Sequence, residues 1–117
     1  MKLRKFKVQH DDLFWEMEVE IDECLAGPVI KEMVEFWTDW ELHLDDADGD
    51  YTTAFVIQLG RECFLLAIAE RLGLKDIIKA FESREGWCPM DGSRGITITD
   101  VDSYSVDHSE FTAIDMT

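Results

Sequence analysis

Two acidic stretches in this sequence contain residue types that can bind divalent cations, and the spacing of those residues tests whether either stretch is a metal site. In the first, DDADGD, three aspartates alternate at Asp46, Asp48 and Asp50. Carboxylate oxygens are the preferred ligands of calcium and magnesium. An EF-hand, however, requires a glutamate at the end of its loop, and with Gly49 in the glycine position that place falls to Phe55. We therefore interpret this stretch as a solvated acidic turn that ends in a helix cap at Asp50.

The second stretch, DVDSYSVDHSE, offers Asp100, Asp102 and His108 as ligands within one predicted hairpin. Oxygen and imidazole donors together would suit a metal-dependent enzyme. Alternating aspartates on a strand are, however, the usual pattern of a solvated face. We assign no metal site here, and a metal-dependent enzyme that uses these three residues stays open as an alternative.

A cysteine nucleophile is the remaining candidate for catalysis. Cys88 lies beside Pro89, but nothing in the sequence brings a histidine close to it, and GxSxG, HExxH and glycine-rich phosphate motifs are absent. Cys24, Cys63 and Cys88 form no CxxC pair, which disfavours a structural zinc site and a disulfide framework. We predict structural cysteines in a reducing cytoplasm, and we assign no catalytic residue and no cofactor.

Net charge is the strongest compositional signal. The 117 residues include 26 acidic and 11 basic side chains, a formal charge of −15, and eight acids but no base lie between Lys31 and Arg61. Such a surface repels phosphates, which disfavours direct binding of nucleic acid. It favours a basic protein partner instead. The alternative, in which the acids serve only solubility, stays open.

Length and composition indicate one domain over residues 1–117. With 46% hydrophobic residues the chain is too apolar for intrinsic disorder. The chain opens on a charged strand rather than an apolar signal segment, and its apolar runs are short compared with a bilayer span. We therefore expect a cytoplasmic protein with no membrane partner.

A β-hairpin is predicted at residues 2–9 and 13–21, where apolar and charged residues alternate. A two-residue turn at 11–12 would set Val8 opposite Trp15. The same register would set Phe6 opposite Met17, Lys7 opposite Glu16 and Lys5 opposite Glu18. We therefore expect the N-terminal lysines to be engaged by a cross-strand ladder of glutamates.

Helical spacing dominates the middle of the chain. Pro28 suits the first turn of a helix whose apolar side carries Val29, Met33, Phe36, Trp37 and Trp40. An acidic loop, ELHLDDADGD, is predicted next, then a central apolar helix over 51–72 and a short helix over 76–82. Residues 96–101 and 111–116 predict two more strands. The order β-β-α-α-α-β-β predicts an α+β fold, with an antiparallel sheet that carries its helices on one face.

The segment REGWCPMDGSRGITITDVDS, residues 84–103, concentrates residues that fix chain geometry. Its glycines permit positive φ, its proline restricts the backbone, and Asp-Gly is a turn signature. We predict a rigid corner between helix layer and sheet, built by Gly86, Trp87, Pro89, Asp91, Gly92 and Gly95. Trp87 either plugs the end of the core or anchors a partner, and the plug is the preferred interpretation.

This segment also resembles the tail of a family of small uncharacterised proteins carried by bacteriophages and prophages, which reads G-W-P-P-M-D-G-S-x-G-I-x-I-T-D-I-D. The resemblance extends to the VEFW of the first helix and runs from the first strand to about residue 103. Cys88 stands where the family has its first proline, which weakens a catalytic role for this thiol. The matching residues are Gly86, Trp87, Pro89, Met90, Asp91, Gly92, Ser93, Gly95, Ile96, Ile98, Thr99, Asp100 and Asp102. The resemblance implies a phage-type accessory protein and supplies no activity.

The sequence thus favours a small acidic accessory protein that binds a basic host protein, as a nucleic-acid-mimicking inhibitor of a host defence system of the anti-CRISPR kind. We expect its partner-binding acids to form one face, made of Glu32, Glu35, Asp39, Asp45, Asp46, Asp48, Asp100 and Asp102. The main alternative is a structural or assembly protein that acts as a homo-oligomer, for example as a homodimer.

Overall fold

A computed structural model of the chain describes residues 3–11, 15–102 and 112–116. Within these ranges an antiparallel sheet has the order β1-β2-β3, formed by β1 (Leu3–Gln9), β2 (Glu16–Asp22) and β3 (Ile96–Val101). The helices are α1 (Glu23–Phe36), α2 (Trp40–Asp46), α3 (Tyr51–Ala69) and α4 (Leu74–Glu82). Helices α1, α3 and α4 contact the sheet, and α2 packs on α1 and α3. The predicted α+β class is confirmed.

Alternation along the strands separates a core face from a solvated face. Met17, Val19 and Ile21 of β2 are buried, together with Ile96 and Ile98 of β3. Burying apolar area at roughly 25 cal/mol per Å² makes this face, packed under the helices, the main source of stability. The glutamates of β2 therefore lie on the opposite side of the sheet.

The predicted hairpin register is wrong by two residues. Val8 lies opposite Met17, and Phe6 lies opposite Val19. The connection is longer than a two-residue turn, because the His10 amide donates to the carbonyl oxygen of Trp15 at 2.8 Å. A shift of two keeps every side chain on its predicted face, since strand side chains alternate with a period of two.

The lysine ladder exists, with one partner changed. Lys5 Nζ lies 3.5 Å from Glu20, whereas the sequence paired it with Glu18. Lys7 Nζ reaches Glu16 at 3.9 Å, although the residue opposite Lys7 in the register is Glu18. Exposed pairs at these distances stabilise the fold by only about 0.2–1 kcal/mol each.

Helix α1 begins at Glu23 rather than near Pro28, which is a correction to the sequence prediction. The side chain of Asp22 accepts a hydrogen bond from the Cys24 amide at 3.1 Å and caps the helix. Pro28 therefore lies inside the helix, where its missing N–H removes one backbone hydrogen bond. The cap and the burial of Ala26 and Ile30 against the core offset that loss.

Two further elements differ from prediction. The acidic loop ELHLDDADGD begins as a helix, because α2 covers Trp40–Asp46, and only the following turn is irregular. The last predicted strand is not formed in its described part: residues 112–116 have no regular structure and no neighbouring strand within the described ranges. Residue 111 and the predicted hairpin turn at 103–110 lie outside the described residues.

The central helix α3 ends at Ala69, three residues before the predicted Leu72. By length and composition alone α3 could cross a membrane, with a mean hydropathy of 1.4, but the central helix of a globular core meets the same criterion. Nine of its residues are buried inside the fold. It approaches β1 so closely that a methyl group on Gly60 would collide with Val8.

Candidate functional site

The loop before β3 is a hydrogen-bonded corner. The Gly92 amide donates to the carbonyl of Ile96 at 2.8 Å, and the Ile98 amide donates to the carbonyl of Met90 at 3.2 Å. Asp91 accepts from the Ser93 amide at 3.0 Å, and hydrogen bonding from the side chain of Ser93, followed by that from its amide, holds the pKa of the Asp91 carboxyl below the usual range. The chain between Met90 and Ile98 is thus a tight, internally bonded turn.

Gly95 is the point where this loop touches the helix layer. Its φ is +87°, and a Cβ there would lie 3.0 Å from both the Asp22 carbonyl oxygen and the Ala26 nitrogen. Its own carbonyl accepts from the Asp22 amide at 2.8 Å. Only glycine combines this backbone conformation with so close an approach to α1.

Trp87 closes one end of the core. Its half-buried ring lies 5.1 Å from the ring of Phe81, 5.8 Å from that of Phe55 and 6.3 Å from that of Trp37, measured between centroids. Tilted aromatic pairs at these separations add about 0.5–1.5 kcal/mol beyond area burial. The ring therefore connects the loop to α3, to α4 and to the residue that follows α1.

A groove separates this loop from α1. It has a volume of about 390 Å³ and is lined on the helix side by Val29, Glu32, Met33 and Phe36. Its other wall consists of loop residues Glu85, Gly86, Trp87, Cys88, Pro89 and Arg94. The groove thus joins the corner motif to the acidic edge of α1.

Phe36 was expected in the core and is instead 80% exposed at the end of α1. The helix ends here because Trp37 adopts an extended backbone, with its amide donating to Val34, so the periodicity that placed Phe36 inward stops. Leu42 on α2 is also 64% exposed. Sequence reasoning did not single out these two exposed apolar side chains, although an apolar residue among acids at a helix end was the available signal.

Six of the eight predicted partner-binding acids lie on adjoining segments. Glu32 and Glu35 are on α1, Asp39 precedes α2, Asp45 and Asp46 are its last two residues, and Asp48 follows it. All six are exposed, and so is Glu41. We call the stretch Glu32–Asp48 the acidic segment.

One member of the acidic segment has a hydrogen-bonding role. The Tyr51 hydroxyl donates to Glu35 Oε2 at 2.7 Å, and this interaction raises the pKa of the phenol. The ammonium of Lys31 lies 5.9 Å from the centroid of the same ring. Glu35 therefore ties α1 to the start of α3, whereas Glu32 and Asp39 are not engaged in this way.

The structure places the other two predicted acids elsewhere. Asp100 is exposed and lies opposite Glu18, on the face of the sheet that points away from the helices. Asp102 is held by the hairpin: its carboxylate accepts from the Glu16 amide at 3.1 Å, and its carbonyl accepts from Trp15 Nε1 at 2.9 Å. These two acids thus form a separate sheet group with a partly structural role.

Ion pairs do not neutralise the candidate acids. In the described part of the chain, salt bridges reach other carboxylates, namely Glu16, Glu20, Glu23, Asp50 and Glu62. None of the eight predicted acids has such a partner there. Arg4 carries the most connected cluster, with one Nη 3.1 Å from Glu23 and 3.0 Å from Asp50, which ties β1 to α1 and α3.

Two observations on the described residues bear on the thiol-enzyme and metal-dependent-enzyme alternatives. Burial raises the pKa of Cys63 to about 12 and also raises that of Cys88, so both thiols are protonated at neutral pH. No group of three or more His, Cys, Asp and Glu side chains within the described ranges is arranged to hold a metal ion. His108, the third member of the Asp100 and Asp102 cluster, lies outside those ranges.

Comparison with known proteins identifies relatives. A family model described as "Protein of unknown function (DUF2528)" matches residues 16–113. Protein ea10 of Escherichia phage lambda is 32% identical over 116 residues, covering 92% of each chain. Lambda prophage-derived protein ea10 of Escherichia coli O6:H1 shows the same identity and coverage. No solved structure matches the chain.

Proposed function

Because this chain belongs to the DUF2528 family, whose relatives are phage and prophage proteins, we propose that it is a phage accessory protein that binds a basic protein of the host cell through the acidic segment. The groove beside Trp87 and the exposed Phe36 extend the proposed binding surface. The family carries no assigned activity, so the proposal is supported by the surface itself.

One observation carries this proposal. Seven carboxylates between Glu32 and Asp48 are exposed, and no lysine or arginine interrupts them in the sequence. In the described part of the chain no salt bridge reaches any of them. A cluster of uncompensated charge of one sign steers a partner of the opposite sign and accelerates its association.

The spacing of carboxylates in the acidic segment supports the proposal that it mimics nucleic acid. Glu32 and Glu35 are three residues apart on α1, roughly 4.5 Å along the helix axis at about 1.5 Å per residue, and Asp39 follows after the helix has ended at Phe36. Carboxylates so spaced can occupy phosphate positions in a basic groove. A host defence nuclease or a CRISPR surveillance complex has such a groove, and occlusion of it requires no catalysis.

The exposed apolar side chains would supply affinity that charge alone lacks. Charged rims mainly set association rate and specificity, whereas apolar anchors that become buried slow dissociation. Phe36 adjoins Glu32 in the groove, and Leu42 is next to Glu41 on α2. We therefore expect the partner's basic groove to contain at least one apolar pocket.

Affinity capture tests this function. The tagged chain is incubated with an Escherichia coli lysate at about 50 mM and about 500 mM salt, which spans weak and strong screening. We expect a basic, nucleic-acid-binding protein to be retained at low salt and released at high salt. The purified partner should then bind a DNA probe less well when the chain is added. Capture of no basic protein at low salt, or unchanged DNA binding by the captured one, would overturn the proposal.

A further inference from the structure

The edge of the sheet at β1 has an open apolar groove beside it. Within the described residues β1 pairs only with β2, so its outer backbone edge has no strand partner. The groove beside it has a volume of about 460 Å³ and lies between the hairpin and α3. Val8 and Trp15 contribute from the hairpin, and Ile57, Leu65 and Ile68 contribute from α3.

The helix wall of this groove is unusually exposed for apolar residues. Ile57 is 54% exposed and Leu65 is 48% exposed, two turns apart on the same side of α3. Arg61 lies between them and also lines the groove. An uncovered apolar strip on the central helix, next to an uncovered strand edge, is the arrangement that accepts an additional strand.

The described C-terminal residues, Thr112–Met116, have the complementary pattern. They have no regular structure, and two large apolar side chains, Ile114 and Met116, are 82% and 93% exposed. Their positions alternate with Ala113 and Asp115. In an extended conformation Ile114 and Met116 therefore share one face, and Asp115 lies on the other.

The groove beside β1 and the segment formed by residues 112–116 complement each other in hydrophobicity and charge. A strand added at β1 with Ile114 and Met116 turned toward α3 would cover Ile57 and Leu65. Its Asp115 would then point to the outer face of the sheet. That face of β1 carries Lys5 and Lys7, which reach Glu20 and Glu16 within the chain and whose side chains are still 72% and 53% exposed.

We propose that the Thr112–Met116 segment of a second copy of this chain adds to the edge of β1, with reciprocal exchange of the segments forming a homodimer. In the single chain the side chains of Ile114 and Met116 are almost fully exposed, and the groove beside β1 is open. Strand addition supplies main-chain hydrogen bonds, and the groove supplies apolar burial.

The net charge of −15 opposes the association of two copies, but β1 is rich in basic residues, although Arg4, Lys5 and Lys7 also pair with acids of their own chain. Three of the 11 basic residues, Arg4, Lys5 and Lys7, are on β1, and Arg61 lines the adjacent groove. The acidic segment, in contrast, comprises α2 and residues next to it. Lysines on an edge strand normally discourage pairing, and an acid on the incoming strand removes that penalty.

Light scattering tests the dimer directly. At about 1 to 100 µM, the range over which modest interfaces assemble, we expect the mass to rise toward twice the 13.5 kDa of the chain. Deletion of residues 112–117 should yield a monomer. Leu65→Asp should do the same, because it places a charge in the groove at a half-exposed site that the fold tolerates. The matched control Leu42→Asp, at the exposed site on α2, should remain dimeric.

Mixing the two monomeric variants gives the sharpest test. The deletion variant retains an intact groove, and Leu65→Asp retains an intact segment, so together they should form a heterodimer with one exchanged segment. A wild-type chain that stays monomeric at every concentration overturns the proposal. So does a dimer that survives either change, or a mixture that fails to associate. The proposed partner binding is independent, because neutralising Glu32, Asp39, Asp45 and Asp48 should leave the dimer intact.

Discussion

Replacing Gly95 by alanine would test the close contact between the corner loop and α1. At φ +87° an alanine costs about 1–2 kcal/mol relative to glycine, because its Cβ crowds the backbone. The new methyl group would also lie 3.0 Å from backbone atoms of Asp22 and Ala26, which cannot rotate away. Overpacking of this kind adds about 1–3 kcal/mol. We therefore expect Gly95→Ala to lower the free energy of unfolding by about 2–5 kcal/mol.

Substitutions at two other glycines separate the cost of positive φ from the cost of overpacking. Gly49 has φ +80°, but no atom lies within 4 Å of the place that an added methyl group would occupy, so Gly49→Ala should cost only the conformational term of about 1–2 kcal/mol. Gly73 has an ordinary φ of −88° and equally open space, so Gly73→Ala should cost less than about 1 kcal/mol.

Urea unfolding followed by tryptophan fluorescence measures all three variants on one scale. The expected order of destabilisation is Gly95→Ala, then Gly49→Ala, then Gly73→Ala. If Gly95→Ala is no more destabilising than Gly49→Ala, the loop does not approach α1 as closely as described. The account of the corner would then be wrong.

Two further predictions concern ionisable groups. Cys24 is exposed, whereas burial raises the pKa of Cys63 to about 12. A thiol reagent at mildly alkaline pH should therefore modify Cys24 at once and Cys63 only after unfolding. Equal labelling rates of the two cysteines in the native protein would contradict this prediction. Although burial tends to raise it, hydrogen bonds from Thr53 and Arg4 hold the pKa of Asp50 below its ordinary value. This carboxylate therefore stabilises the fold above roughly pH 3.9, and the contribution is lost as the pH falls through its lower folded pKa. Arg4→Met should flatten that acid dependence of the unfolding free energy, and an unchanged profile from pH 2 to pH 6, measured by urea titration, would count against the cluster.

Periodicity explains what the sequence could predict of the fold. Alternation identified both strands of the hairpin and their buried faces, because burial depends only on which face a residue occupies. It could not identify the register, because a shift of two residues leaves Lys5 and Val8 on the same faces of the sheet as before. The start of α1 was missed because the capping side chain of Asp22 lies upstream of the more conspicuous Pro28.

The candidate site shows a similar division. The acids of Glu32–Asp48 adjoin in sequence, so their proximity follows from local structure. The position of Asp100 depends on how β3 pairs with β2, including the register shift between Glu18 and Val19 of β2. No local pattern in the sequence reveals that pairing. Exposure of Phe36 depends on where α1 ends, and helix ends are set by backbone geometry more than by hydrophobic spacing.

The most direct test of the central claim is the affinity of the captured partner for two charge variants with equal net charge. The first neutralises four acids of the acidic segment, by the substitutions Glu32→Gln, Asp39→Asn, Asp45→Asn and Asp48→Asn. The second neutralises four exposed acids outside it, by Glu18→Gln, Glu70→Gln, Glu82→Gln and Asp100→Asn. Four rim charges at about 0.2–1 kcal/mol each contribute about 0.8–4 kcal/mol, so calorimetry at low salt should show an affinity loss of about fourfold or more for the first variant and much less for the second. Equal losses would show that net charge alone attracts the partner, and no loss in either would remove the acidic segment as its binding site.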